Sequence, residues 1–488
     1  MANNLKQKAV SGMIWTSIQK FSKMGIGFIS GIILARLLTP YDYGCIGMLS
    51  IFMVLAESFI DGGLGSALIQ KKRPTQVDYS TIFYWNLGLS FAMYFILYFS
   101  APAIARFYNI PILCEVLRVQ GLILFIYALN LIQKNQLRKQ LKFRILAKVR
   151  IITSVISLTI TIIMAYNGFG VWSLVAQHLL GGAIPAIVFW IYTKWKPTFV
   201  FSWKSFRELF DFGIYMFLTH VINNLSSQLQ GLLIGKFYNP VVLGYYSKAS
   251  GTERLASQTI SGVMTSVTFP LYAEVQDDKI AMQNMIKRMT MTISYITFPL
   301  MFILLLCAKP IFILLYSDRW LQSVPFFQVL CISGLAFCLQ SVNLQTISAI
   351  GKSKVMFWWT ILKRVVGIVL MVGGLILWGI NGLLLGLVIN TWFCYFVNIG
   401  LVSKYIGYKW QKQILHLLPI GIVSLMAAII SYGCCCYLSL SLYPDGIVKL
   451  LVYLFVYLGW SFYFKPEAYT YTLSIIPMNK VKRKFGLS

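Results

Sequence analysis

The sequence predicts an all-α, polytopic membrane protein of about fourteen transmembrane helices. Three observations predict it. Of 488 residues, 58% are hydrophobic and only 11% charged, where a soluble domain carries about a quarter. Apolar segments of about twenty residues recur along the whole chain, each long enough to cross a ~30 Å hydrocarbon core. The basic residues gather in alternate connections between those segments.

The first segment, about 9–35, holds Lys20 and Lys23 and lacks a small-residue cleavage site. It is therefore expected to be retained as a helix, not removed as a signal peptide. Five more follow at about 42–67, 80–104, 112–133, 145–166 and 169–193. Six others lie at about 210–237, 242–270, 289–308, 325–349, 355–379 and 382–403. Two last segments, about 413–437 and 446–464, precede a basic tail. The stretch from Ala273 to Arg288 is polar with apolar spacing, and reads as a short helix on the membrane surface. The connections leave no room for a separate soluble catalytic domain.

The net charge of +28 is not a nucleic-acid signal, because the cations sort by membrane side. Most of the 42 lysines and arginines fall in the termini and every second connection: Lys6 and Lys8, Lys71 to Arg73, Lys134 to Arg150, Lys194 to Arg207, Lys279 to Arg288, Lys352 and Lys354, Lys404 to Lys412, and Lys465 with the tail's Lys480, Lys482, Arg483 and Lys484. The intervening loops hold few, among them Arg36, Arg106, Lys236 and Lys309. This alternation follows the positive-inside rule and places both termini in the cytoplasm. The nine cysteines have neither metal nor framework spacing and read as small packing residues.

One stretch occurs twice. Gly31, Arg36, Pro40 and Gly44 align without gaps on Gly231, Lys236, Pro240 and Gly244, with apolar residues matched in class between them. A long apolar chain with such a repeat has the architecture of a two-lobed transporter. Six helices per lobe is an even number, so both lobes enter from the same side and the repeat is parallel. The expected organisation is an N-terminal lobe over 1–200, a C-terminal lobe over 201–408, and two extra helices with the basic tail over 409–488.

Charges inside the apolar segments cost about 2.5–3.5 kcal/mol each at a helix centre, so they mark function or pairing. Lys20 and Lys23 share one face of the first helix and are too central to snorkel easily. Glu57 and Asp61 share a face of the second. Glu115 with Arg118 reads as an internal helix pair. Lys248, Glu253 and Arg254 lie in the eighth helix, and Lys363 and Arg364 in the eleventh, where they can snorkel to the interface. Cations outnumber acids in this set, which points to a cation-lined cavity for an anionic substrate. The candidate lumen residues are Lys20, Lys23, Arg118, Lys248, Arg254, Asn223 and Asn224. The acids Glu57, Asp61 and Glu253 are candidates for ion coupling. The seventh helix also carries His220, Gln228 and Gln230; this stripe either lines a cavity or makes interhelical hydrogen bonds. His178 reads as a satisfied buried histidine. No catalytic constellation, metal spacing or phosphate-cradling loop is evident, so neither an enzyme nor a cofactor is expected.

Four stretches then resemble a known family: Ala35 to Gly44; Asp61 to Gln70 with Lys71 and Lys72; Phe269 to Ala273 followed by Gln276 to Asp278; and Lys309 to Trp320. They resemble the polysaccharide transport family of Wzx-type flippases, in particular its colanic-acid-exporter branch. That family sits in the superfamily holding the MATE drug antiporters and the lipid II flippases. The resemblance covers nearly the whole chain. It implies a MATE-like fold in the bacterial inner membrane that moves undecaprenyl-diphosphate-linked oligosaccharide between leaflets. It implies a central cavity lined by helices one, two, seven and eight. Coupling to a proton or sodium gradient, through protonation of Glu57, Asp61 or Glu253, is an expectation that rests on the place of these acids inside apolar segments. The expected partners are the lipid-linked substrate, membrane lipids and polysaccharide polymerase machinery.

Two readings compete. A MATE-type drug antiporter would carry acid-dominated cavities for cationic drugs. A membrane-embedded polymerase or ligase would need a sizeable outward loop with paired charges, whereas the longest here runs from about Lys309 to Gln322.

Overall fold

The computed structural model describes residues 2–438 and 441–475. The basic tail lies outside them. The described residues form helices and no strand. In chain order these are α1 (Ala2–Leu37), α2 (Pro40–Asp61), α3 (Leu64–Gln70), α4 (Gln76–Tyr108), α5 (Ile112–Gln120), α6 (Ile123–Lys139), α7 (Phe143–Tyr166), α8 (Val171–Thr193) and α9 (Trp203–Phe237). There follow α10 (Pro240–Glu274), α11 (Lys279–Leu306), α12 (Ala308–Tyr316), a 3-10 turn (Asp318–Trp320), α13 (Ser323–Ala349), α14 (Ser353–Ile406), α15 (Trp410–Leu438), α16 (Leu442–Phe464) and α17 (Glu467–Ile475).

Among the described residues, ten segments are long and apolar enough to cross a membrane. The expected fourteen differ from these for two physical reasons. α1, α9 and α10 have 36, 35 and 35 residues but are more polar. Segments eleven and twelve merge into α14, which breaks only at Trp378 and at Gly379 with φ of 61°. Side chains such as Phe99, 74% exposed, and Phe455, 81% exposed, suit contact with hydrocarbon.

Several elements depart from the sequence expectation. The second segment is split at Gly62 and Gly63, which have φ of 51° and 71°, into α2 and α3. The fourth is split into α5 and α6, and α6 continues to Lys139, well into what reads as a basic loop. The expected surface helix before Arg288 is instead the start of α11, which Asp278 caps through the N–H groups of Ile280 and Ala281. The outward loop after Lys309 is largely helical. The helix α17 has no counterpart in the sequence reading.

The chain divides into two compact units, Met1–Ser247 and Lys248–Ser488. In the first, α1 packs on α7, α7 and α6 on α8, α4 on α5 and α6, and α2 and α3 on α9. In the second, α13 packs on α14 and α11, α15 on α16, and α11 on α15 and α17. The three-part division at 200 and 408 stays a proposal about the repeat.

The repeated motif is two helix starts that pack on one another. Thr39 caps α2 in a capping box with Asp42, and Pro40 takes the first helical position, where its missing N–H costs nothing. In the second copy Asn239 Oδ1 accepts the N–H of Val242 at 2.9 Å. A Cβ on Gly44 would overlap the backbone of Pro240, and a Cβ on Gly244 that of Pro40. The glycines and prolines coincide in the repeat because each copy receives the other.

At the opposite end of this unit, Lys71 ties three helices. Its ammonium lies 3.1 Å from Asp78 and 3.0 Å from Glu208. Lys139 donates to the carbonyls of Leu68 and Ile69, both at 3.1 Å, and to that of Lys71, so it closes the C-terminus of α3. Burial disfavours the charged form of Lys71, but its hydrogen bonds to Glu208 and Asp78 outweigh this and hold its pKa above the ordinary lysine value. The clasp is therefore intact at neutral pH; Lys71's part in it is lost as pH rises through its raised pKa, and that of Asp78, whose pKa is lowered, as pH falls through the acid range. Asp78 also completes the capping box of α4 with Thr75 and is 1% exposed, whereas Glu208 is 60% exposed. Asp78→Ala is expected to cost about 1–3 kcal/mol, as the loss of a buried charged acceptor. Glu208→Ala should cost less than about 1 kcal/mol. Unfolding of the detergent-solubilised protein measures both.

Candidate functional site: a cationic cavity in the first unit

The first unit holds an open cavity of about 800 Å³. α2 contributes Ser50, Glu57 and Asp61; α6 contributes Tyr127, Asn130, Lys134 and Arg138; α7 contributes Arg150 and Thr153; α8 contributes Gln177 and His178. Lys23 of α1, Gln120 of α5 and His220 of α9 add to its polar lining. Four cations, Lys23, Lys134, Arg138 and Arg150, face two acids, Glu57 and Asp61, on this wall.

Helix periodicity explains the arrangement. Lys134 and Arg138 are four apart on α6, and Asn130 and Tyr127 continue the same face. Glu57 and Asp61 are likewise four apart on α2. Lys134 acts electrostatically on both acids, and Arg138 and His220 act on Asp61. Lys134 in turn is repelled by Arg138, Arg150 and Lys23. The cavity is thus a cation cluster that its two carboxylates balance only in part. An anion entering it is attracted and can accept several charge-assisted hydrogen bonds.

The structure distributes the candidate residues unevenly. Lys23, Glu57 and Asp61 are brought together at the cavity wall. Lys20 lies exposed beside a smaller cavity. Arg118 is elsewhere: its guanidinium sits 4.3 Å over the Tyr98 ring and donates to the Tyr98 carbonyl at 3.4 Å. It holds α5 on α4 through Tyr98, a contact other than the expected one with Glu115. In the second unit, the Lys248 ammonium lies 4.2 Å over the Tyr316 ring and 5.4 Å from that of Trp320. Glu253 is buried, with Oε1 directed at Gly334, where a Cβ would come within 2.6 Å. Arg254 is exposed. None of these three is among the residues lining the first-unit cavity. Lys248→Ala is expected to lower stability by about 1–2 kcal/mol, since a desolvated cation–π contact is lost; thermal unfolding of the purified protein reads this.

The polar stripe of α9 does both things expected of it. Asn224 donates to Ser58 Oγ at 2.8 Å and Ser50 Oγ to Gln228 at 3.1 Å, which fastens α9 to α2. His220 faces the cavity, and Asn223, three residues further on, is half-buried. His178 has the hydrogen-bond partner expected of it, with Nδ1 3.2 Å from Gln120 Nε2, but it is exposed to the cavity instead of buried, and so is a lining residue. Arg36 is exposed, and Lys236 donates to the Phe107 carbonyl at 2.7 Å while lying 4.0 Å over its ring. Both mark the outer end of the repeated motif and lie outside the cavity lining.

Sequence reasoning missed Lys134, Arg138 and Arg150 as site residues because they stand in a run of basic residues that reads as a cytoplasmic loop. The signal was the three- and four-residue spacing that runs from Tyr127 through Asn130 and Lys134 to Arg138.

The fold and the cavity define a multi-pass membrane protein of transporter architecture. The lipid II flippase MurJ in its inward closed conformation has the same fold, with a TM-score of 0.76 at 16% identity over 93% of this chain and 99% of that one. The chain belongs to the polysaccharide biosynthesis protein family, whose model matches residues 33–325. It is 26% identical to the teichuronic acid biosynthesis protein TuaB of Bacillus subtilis, over 73% of this chain and 74% of TuaB. It is 22% identical to the lipopolysaccharide biosynthesis protein WzxC of Escherichia coli, over 88% of each.

Proposed function

We propose that the chain is a flippase that translocates undecaprenyl-diphosphate-linked oligosaccharide units across the bacterial inner membrane for surface polysaccharide synthesis. The observation that carries this reading is the cavity with four cations against two acids on its wall. A diphosphate brings two to three negative charges to a site of net positive charge. Sugar hydroxyls find partners in Asn130, Gln120, Gln177, Thr153 and the two carboxylates. The head group is too polar to cross hydrocarbon unaided, so a polar cavity that opens alternately to the two sides supplies the path. The family and the MurJ-like fold support the same reading.

The alternation of basic connections along the sequence supports a cytoplasmic side for both termini. Glu57 and Asp61 are positioned to exchange a proton or a sodium ion as the cavity changes sides; Glu253 is a separate candidate in the second unit. An acid-rich drug cavity is not what the wall presents.

Deletion of the gene tests the function. The expected result is accumulation of full-length lipid-linked repeat units in the inner membrane, loss of surface polymer, and rescue by the wild-type chain. Unchanged lipid intermediates with altered drug sensitivity would instead support the antiporter. Single surface repeat units without polymer would support the polymerase.

A further inference from the structure

The connection between α8 and α9 is fastened to the start of α4. Trp195 Nε1 donates to Gln76 Oε1, and Gln76 Nε2 to the Lys196 carbonyl, both at 2.7 Å. The N–H of Thr198 donates to Ser80 Oγ at 3.0 Å, and that of Ser202 to Thr81 Oγ1 at 3.1 Å. These bonds turn the polar backbone towards α4 and leave apolar side chains outside. Phe199 is 96% exposed, and Trp203, at the start of α9, is 64% exposed. Both are held in place: Phe199 stacks on Tyr84 with ring centroids 6.1 Å apart, and Trp203 on Phe206 at 5.1 Å.

The charges of the same stretch have one sign. Lys194, Lys196, Lys204 and Arg207 are exposed, and no acid stands between positions 191 and 207. A fifth cation, Lys142, lies 5.6 Å over the Tyr192 ring. The next acid, Glu208, is engaged by Lys71. Exposed rings beside lysines suit neither water nor hydrocarbon alone. Aromatic side chains settle at the headgroup level of a bilayer, and each cation there adds roughly fivefold in affinity for a negatively charged surface.

We propose that this connection is a binding site for anionic phospholipid, in the membrane leaflet that the basic connections face. Phe199 and Trp203 enter the headgroup layer, and Lys194, Lys196 and Lys204 take the lipid phosphates. A zwitterionic lipid brings its own cation to each phosphate and gains little from these lysines. An acidic protein surface would meet the lysines and leave the rings without an apolar partner, which favours the lipid. The connection runs on into α9, whose Glu208 meets Lys71, so lipid held here steadies the junction of α4 and α9. The site is separate from the cationic cavity and stands independently of the transport reading.

The test is photo-crosslinking of the full-length protein carrying Phe199→benzoylphenylalanine, in vesicles of equimolar phosphatidylglycerol and phosphatidylcholine. Adducts are identified by mass. Phosphatidylglycerol adducts are expected to exceed phosphatidylcholine adducts by about tenfold or more. Adding Lys194→Gln, Lys196→Gln and Lys204→Gln together should bring that ratio below about twofold, and arginine at the same three positions should keep it. Ile191→benzoylphenylalanine is the reference, since Ile191 is 70% exposed on α8 within the apolar segment; it should label both lipids about equally. Equal labelling of the two lipids from position 199 would overturn the recognition of charge. So would a preference that survives loss of the three lysines. Lipid adducts from position 191 with none from position 199 would overturn the placement of the connection in the headgroup layer. In native membranes, adducts from position 199 to a protein in place of lipid would overturn the choice of partner.

Discussion

Cells whose only copy carries Lys134→Ala with Arg150→Ala are expected to lose surface polysaccharide by at least a hundredfold while keeping normal amounts of the protein. Each charge-assisted hydrogen bond contributes about 1.5–3 kcal/mol, so two lost from a shared anion amount to roughly 3–6 kcal/mol, or ~10²–10⁴-fold in affinity. The fold should tolerate the change. Lys134 sits among Arg138, Arg150 and Lys23, which repel it, and buried like charges oppose folding. Removing two of them relieves that repulsion. Surface polymer assayed beside membrane-protein abundance separates the two effects. A fall in both together would mean that the cations act in folding.

The second large effect is structural. Gly44→Ala and Gly244→Ala are each expected to destabilise the protein by about 3 kcal/mol or more, the upper end of overpacking costs. The added methyl meets backbone in both cases, Pro240 for one and Pro40 for the other, and backbone at a helix start has no rotamer to change. Gly47→Ala is the comparison within the same helix. Its methyl would meet the side chains of Leu243 and Ser247, each at 3.2 Å, which can move by a few tenths of an ångström. Its cost should be less than about 1 kcal/mol. Thermal unfolding in detergent ranks the three. Equal losses would show that the reciprocal contact has no special rigidity.

Much of the fold was legible in the sequence because a membrane span needs only length and apolarity, and the chain writes both plainly. The repeat was legible too: capping residue, proline at the first helical position and glycine at the crossing form a local pattern. What sequence hid was local breaks and continuations. Gly62 and Gly63 interrupt an apolar run without changing its hydropathy, and the run from Lys279 into α11 hides a helix that begins in polar residues. The site was half legible. Lys23, Glu57 and Asp61 are isolated charges in apolar segments and stood out. Lys134, Arg138 and Arg150 did not, since a charge among other charges carries no penalty to notice. Arg118 and Lys248 stood out for the same reason as Lys23, yet they are satisfied by the rings of Tyr98, Tyr316 and Trp320. An intramembrane charge signals a need for a partner, and an aromatic face meets that need as well as a substrate does.

The most direct measurement is translocation in proteoliposomes loaded with a fluorescent prenyl-diphosphate oligosaccharide, read by the accessibility of its sugar on each side. Wild-type protein should equilibrate the substrate between leaflets, and the Lys134→Ala, Arg150→Ala protein should do so at least a hundredfold more slowly. Equal rates for the two proteins would contradict the cationic cavity as the transport path, and no movement beyond that in empty vesicles would contradict the flippase itself.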